Sequence, residues 1–190
     1  MRKLSLSAAA LLLVGAPALA QSVGEKTGVN STLGISPSTP DFVREVAVSD
    51  MLEIESSKLA EQNGNAREKT FAAQMINDHG KTSSQLKELV SKGEVKAELP
   101  AALDSASQSK LDKLKGKKGA EFSSDYDSMQ VSAHKDAVSL FERYAKSGDN
   151  ANLKDWAGKT LPALRHHLEM AQDLGRASSE TMGKASRPAR

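Results

Sequence analysis

From Ala66 to Lys92 the chain reads AREKTFAAQMINDHGKTSSQLKELVSK. At ~100° per residue, Phe71, Ala72, Met75, Leu86 and Leu89 fall on one arc of a helix. Gly93 marks its end. Asp78 and His79 lie on that same arc, flanking its centre. A carboxylate and an imidazole there are costly to bury unless something partners them.

Three further segments repeat the pattern. Pro40 to Gln62 forms a helix with Thr39 as its cap, Pro40 in its first position and Asp41 facing the positive end of the dipole. Its arc holds Phe42, Val46, Val48, Leu52, Leu59 and Ala60, and Glu53 falls about 20° from Phe42. Ser123 to Ser147 forms another, capped by Ser123 and closed by Gly148. Phe122, Tyr126, Met129, Ala133, Ala137, Leu140, Phe141 and Tyr144 share its arc, with His134 toward the edge. The last opens at Asp149 or Asn150, reaches Leu174 and stops at Gly175. Leu153, Trp156, Leu161, Leu164, Leu168 and Ala171 form its arc; His167 lies inside and His166 points away. Pro162 predicts a kink one turn before His167.

Between the second and third long helices lies a short amphipathic one with Leu103, Leu111 and Leu114. No strand-like alternation occurs. Short loops join the first pair of long helices and the last pair, which makes each pair antiparallel. The expected fold is all-α: an antiparallel four-helix bundle, domain 41–175, with a short extra helix.

The flanks differ in composition. Arg2 and Lys3 precede an apolar run from Leu4 to Val14, and Ala18-Leu19-Ala20 offers small residues for cleavage before Gln21. The run is short of the ~20 residues that span a bilayer. Residues 1–20 therefore read as a signal peptide, and the expected location is periplasmic or secreted. Residues 21–40 read as a flexible linker and 176–190 as a disordered tail. No segment after cleavage is apolar enough to cross a membrane. The chain of 190 residues contains no cysteine, which excludes disulfides and thiolate ligands. It carries 26 basic and 24 acidic residues, and loss of Arg2 and Lys3 brings the two into balance. Balanced charge argues against a nucleic-acid partner. Protein partners leave no mark in the sequence.

Three of the four histidines thus lie on apolar arcs, one on each of three helices, and the fourth helix places Glu53 on its arc. All sit near the midpoints of their helices. At 1.5 Å rise per residue they stack within about two turns of one another. Imidazole with carboxylate suits one divalent ion of zinc, manganese, iron or copper. The candidate metal residues are Glu53, Asp78, His79, His134 and His167, with Glu53 and the imidazoles ligating and Asp78 orienting His79. The bland alternative is a metal-free polar network that fixes helix register. Three functions follow: a non-enzymatic exported protein binding a metal or small ligand, a metal-dependent oxidoreductase with Tyr126 and Tyr144 beside the site, or a metal-free structural or stress-related envelope protein. No nucleophile triad, phosphate loop or paired-carboxylate motif occurs, so no catalytic or organic-cofactor residue is assigned.

Glu53-Ile54-Glu55 with Lys58-Leu59-Ala60, Phe71-Ala72 leading to Met75 and Asp78-His79, Leu99-Pro100, the Phe122 to Tyr126 spacing, His134 with Leu140-Phe141, and Leu161-Pro162 leading to His167-Leu168 occur in this order. In these pieces the chain from Phe42 to Leu174 resembles the bacterial domain-of-unknown-function family numbered 4142, grouped with ferritin-like bundles. The resemblance implies a ferritin-like fold in an exported bacterial protein, and no activity. Ser123 and His166 depart from the family's usual residues. A di-iron site needs Glu-x-x-His motifs. Val131 and Leu164 stand where those glutamates belong, so the residues fit one metal better than two.

Overall fold

The computed structural model describes residues 23–26 and 28–185. Among them are seven helices and no strand: α1 (Val23–Lys26), α2 (Val29–Leu33), α3 (Thr39–Asn63), α4 (Ala66–Ser91), α5 (Ser105–Lys115), α6 (Gly119–Ser147) and α7 (Ala151–Ala185). No described helix is long and apolar enough to cross a membrane.

Local chemistry sets most boundaries. Ser38, one residue before the expected cap, accepts a hydrogen bond from the Asp41 amide, and Pro40 sits in the first turn of α3. Asn65 and Glu68 form a reciprocal capping box at the start of α4. Gly93 takes φ +74°, a left-handed conformation that ends α4. Asn150 Oδ1 accepts from the Leu153 amide at 2.9 Å and opens α7. Gly148 lies so close under Tyr144 that a Cβ would stand 2.5 Å from the ring, so only glycine turns the chain there.

Two boundaries differ from expectation. α6 begins at Gly119, one turn before Ser123, which lies inside the helix and caps nothing. α7 runs through Gly175 to Ala185. Glycine inside a helix costs only ~1 kcal/mol, and it stops one only where the backbone turns left-handed. Gly175 has no positive φ. The first ten residues of the expected tail are therefore helical, and 186–190 lie outside the described residues. Pro162 sits within α7 without ending it. The described part of segment 21–40, expected as a flexible linker, contains α1 and α2. The expected signal peptide, 1–20, lies outside the described residues.

The four long helices pack in a closed ring, α3 on α4, α4 on α7, α7 on α6 and α6 on α3. α5 is separate from α6 and lies mainly on α3, burying Leu111 and Leu114. The core divides in two. One cluster gathers Phe42, Val43, Val46, Leu86, Leu140, Phe141, Tyr144 and Leu153. The other gathers Ala60, Phe71, Ala72, Met75, Phe122, Tyr126, Ala171 and Leu174. α3 and α7 pass from the first cluster to the second, and α4 and α6 pass from the second to the first. Between the clusters each helix buries polar residues: Asp50, Glu53, Ser56 and Ser57 on α3, His79 on α4, Gln130 and His134 on α6, His167 on α7; Thr39, Asp41, Glu68 and Asp127 are buried nearer the ends.

Candidate metal centre

The three arc histidines meet in this middle layer. His79, His134 and His167 are each at most 3% exposed. Their ring centroids form a nearly equilateral triangle with sides of 5.6, 5.6 and 5.5 Å. Each offers one nitrogen, and the three nitrogens lie within 4.8 Å of one another. His166, one residue along, leaves 62% of its side chain in solvent.

What each ring does with its other nitrogen is decisive. His79 Nδ1 meets Asp50 Oδ1 at 2.8 Å, and Asp50 Oδ2 also accepts from Ser83 Oγ at 3.0 Å. His134 Nδ1 donates to the Gln130 backbone carbonyl at 2.9 Å. His167 Nε2 meets Asp78 Oδ2 at 3.2 Å. These partners are acceptors, so each facing nitrogen carries the proton. The remaining three atoms, His79 Nε2, His134 Nε2 and His167 Nδ1, are buried and have no hydrogen-bond partner. Each ring therefore keeps one bare nitrogen available to the cluster in which the three histidines each bring a nitrogen within 4.8 Å of the others. A neutral imidazole held by an acceptor on one nitrogen and bare on the other is the form that ligates a metal.

The charges around the layer fit that form unevenly. Burial, with the neighbouring His79 charge, depresses His134 to about 3, so its ring is neutral. Burial also lowers His167, against the pull of Asp78. For His79 burial works downward, but the Asp50 hydrogen bond and charge outweigh it and raise the ring. Burial raises Asp50 itself.

Glu53 is 1% exposed, and neither of its oxygens has a hydrogen-bond partner of good geometry. The Gln130 amide favours its ionised form, yet that amide donates to Ser56 Oγ at 3.3 Å. Burial pushes the Glu53 carboxyl up to about 7.

The structure thus joins His79, His134 and His167 into one donor set and leaves Glu53 and Asp78 outside it. Asp78 is a correction: it is only partly buried and turns to His167 instead of orienting His79. Consecutive residues on a helix point ~100° apart and cannot face each other. Asp50 takes the role assigned to Asp78, and sequence reasoning missed it. Its spacing was a usable signal, because Asp50 lies three residues before Glu53 and so on the same side of α3. The Gln130 carbonyl carries no sequence signal at all. Tyr126 bonds Ser57 and Tyr144 bonds Thr39, so neither hydroxyl is directed to the histidines.

Fold and site together define an all-helical protein whose centre brings three buried histidines close enough to hold a metal ion. A family model described as Domain of unknown function (DUF4142) matches residues 24–174, and the chain belongs to that family. Neither curated proteins nor solved structures give a match.

Proposed function

We propose that this is an exported protein, folded as an antiparallel four-helix bundle of the ferritin-like kind, that binds one divalent transition metal at its centre. His79, His134 and His167 are the nitrogen donors, and Glu53 supplies the carboxylate from the fourth helix by a side-chain rotation toward the ion. One observation supports the reading: three buried histidines each bring a nitrogen within 4.8 Å of the others, and in every ring an acceptor holds one nitrogen while the other is bare. Leaving three imidazole lone pairs and a carboxylate dry and unpaired is costly, and one cation relieves all of them. An ion with bonds of ~2.1 Å would draw the donors to about 3.4 Å apart. Three neutral nitrogens with one carboxylate suit zinc, manganese, iron or copper.

The bundle reading rests on the closed ring and on the opposite directions in which neighbouring helices pass between the two clusters. Export rests on the Arg2 to Ala20 pattern. Mature protein beginning at or near Gln21 by mass spectrometry supports it, and Met1 retained on envelope protein overturns it. Elemental analysis of untagged protein tests the metal. About one equivalent is expected, with none in His134→Leu. A folded protein that takes up none of the four metals would leave the layer as a device for fixing register.

A further inference from the structure

A buried ion site needs a way in. The histidine layer borders a cleft of about 570 Å³ in which Asp50 and His79 form part of the wall. Ala133, Ala137 and Leu164 stand in the same wall. The two alanines lie one turn apart on either side of His134, and Leu164 is one turn before His167. Small side chains at 133 and 137 leave the space that longer ones would fill. The wall carries five carboxylates (Glu25, Glu45, Asp50, Asp104, Asp136) against three cations (Arg44, Lys110, Arg143), an excess that favours a cation.

The N-terminal segment forms another part of that wall, through Glu25, Gly28, Ser31 and Thr32. Its described attachment to the bundle includes these polar contacts. Glu25 Oε1 pairs with Arg143 at 2.6 Å, and both side chains are nearly buried, at 3% and 9% exposure. Arg143 also donates to the Ile35 carbonyl at 2.6 Å, and Ser31 meets Ser139 at 3.3 Å. Apolar packing adds almost nothing. α2 buries no residue, and among the described residues Val23, Val29, Leu33 and Ile35 are the large hydrophobic side chains that stand exposed. A segment held by a few polar bonds opens locally at small cost, while the core stays closed.

We infer that the cleft is the path by which the divalent ion reaches the histidines, and that α1 and α2 cover it, latched by Glu25 and Arg143. The inference rests on the metal reading above. A cover that the ion must wait for alters both directions of exchange equally. Loosening it speeds uptake and release by one factor and leaves affinity unchanged.

Stopped-flow zinc uptake, and zinc release to a chelator, on the full chain test this. Glu25→Gln is expected to raise both rates about tenfold, the scale set by a charge-assisted hydrogen bond, with no change in affinity. Arg143→Gln removes the other half of the latch and must act the same way. Ala133→Leu, which narrows the cleft at a helix position that tolerates leucine, should slow both rates. Zinc bound with wild-type rates in Glu25→Gln and Arg143→Gln overturns the cover and leaves the metal site standing. So does a change of affinity with uptake unaltered. Zinc bound by no form of the protein overturns the metal reading and this inference with it.

Discussion

The two ends of the molecule and its middle layer follow opposite rules. At the ends apolar side chains interlock, and the tyrosine hydroxyls among them are satisfied. Phe42 packs on Tyr144 with ring centroids 4.0 Å apart and on Phe141 at 5.0 Å. The Tyr144 hydroxyl bonds Thr39 at 2.5 Å, and that of Tyr126 bonds Ser57 at 3.1 Å. In the middle, both Glu53 oxygens and one nitrogen of each histidine have no partner. The ends hold the helices together, and the middle is tolerated because they do. Selection for folding alone would fill that layer with leucine, since replacing buried polar groups by apolar ones of similar size is often neutral or stabilising.

The contrast is broken most directly by one substitution in each region. Phe42→Ala opens a cavity in the first cluster and should cost about 3–5 kcal/mol in urea unfolding. His134→Leu in the metal-free protein should leave stability unchanged or raise it by about 1 kcal/mol or more. Its Nδ1 partner is a helix carbonyl that keeps its own backbone bond, so leucine strands nothing new of importance. Equal losses at the two positions would show that the middle layer supports the fold as the ends do.

The ends were legible in the sequence because apolar arcs of period 3.6 are a property of single helices. Phe42, Phe71, Phe122 and Tyr126 sit where the arcs put them, fully buried or nearly so. The arcs also delivered His79, His134 and His167. They could place Asp50 on the right side of α3 but not say which ring each carboxylate meets, which depends on which helix stands beside which. Asp50 reaches His79 from α3 across 29 positions of sequence, and Asp78 reaches His167 across 89. Helix ends were misplaced for a different reason. Ser123 and Gly175 have the right chemistry for a cap and a stop, but α6 starts a turn earlier and buries Phe122, and α7 runs on past Gly175, where Ser178 bonds Asp127. The polar segment around Glu25 hid a contact because its anchor is a single charge meeting Arg143, which no periodicity announces.

A second measurement sharpens the contrast by asking what the middle costs. Burial raises Glu53 from 4.5 to about 7. Between these values the folded chain keeps a proton that the unfolded chain has lost. Stability of the metal-free protein from this group is therefore full below about pH 4.5 and falls as pH rises toward 7. Glu53→Gln should remove that slope and raise stability at neutral pH by about 3 kcal/mol, at about 1.4 kcal/mol for each tenfold change in proton affinity. Urea titrations of both proteins with chelator present, from pH 4 to 8, read the difference. Parallel pH profiles would place the Glu53 carboxyl in a wetter, better partnered setting than its burial implies.

The smallest effect tests whether ionisation cost belongs to the middle alone. Asp127 lies on α6 beside Tyr126, toward the second apolar cluster. Its Oδ2 accepts from Ser178 Oγ at 2.5 Å, and its Oδ1 is buried without a partner. Burial, opposed by the Ser178 bond and helped by the Glu68 charge, raises it to about 6. The sign is that of Glu53: this contribution to stability is present below about pH 4 and is lost as pH rises through 6. With Oδ2 bonded and only Oδ1 bare, the effect is about 1 kcal/mol, the lower end of what one unsatisfied buried acceptor costs. Asp127→Asn keeps an oxygen for Ser178 and removes the charge. It should raise the melting temperature at pH 7 by about 2–4 °C, the shift expected per kcal/mol for a domain of this size, and change nothing at pH 4. Ser178→Ala separates the hydrogen bond from the charge. It removes a bond that favours the ionised form, so it should make the fall between pH 4 and 6 steeper. A flatter profile in Ser178→Ala, or an Asn variant that melts with the parent at every pH, would return the cost of buried charge to the histidine layer.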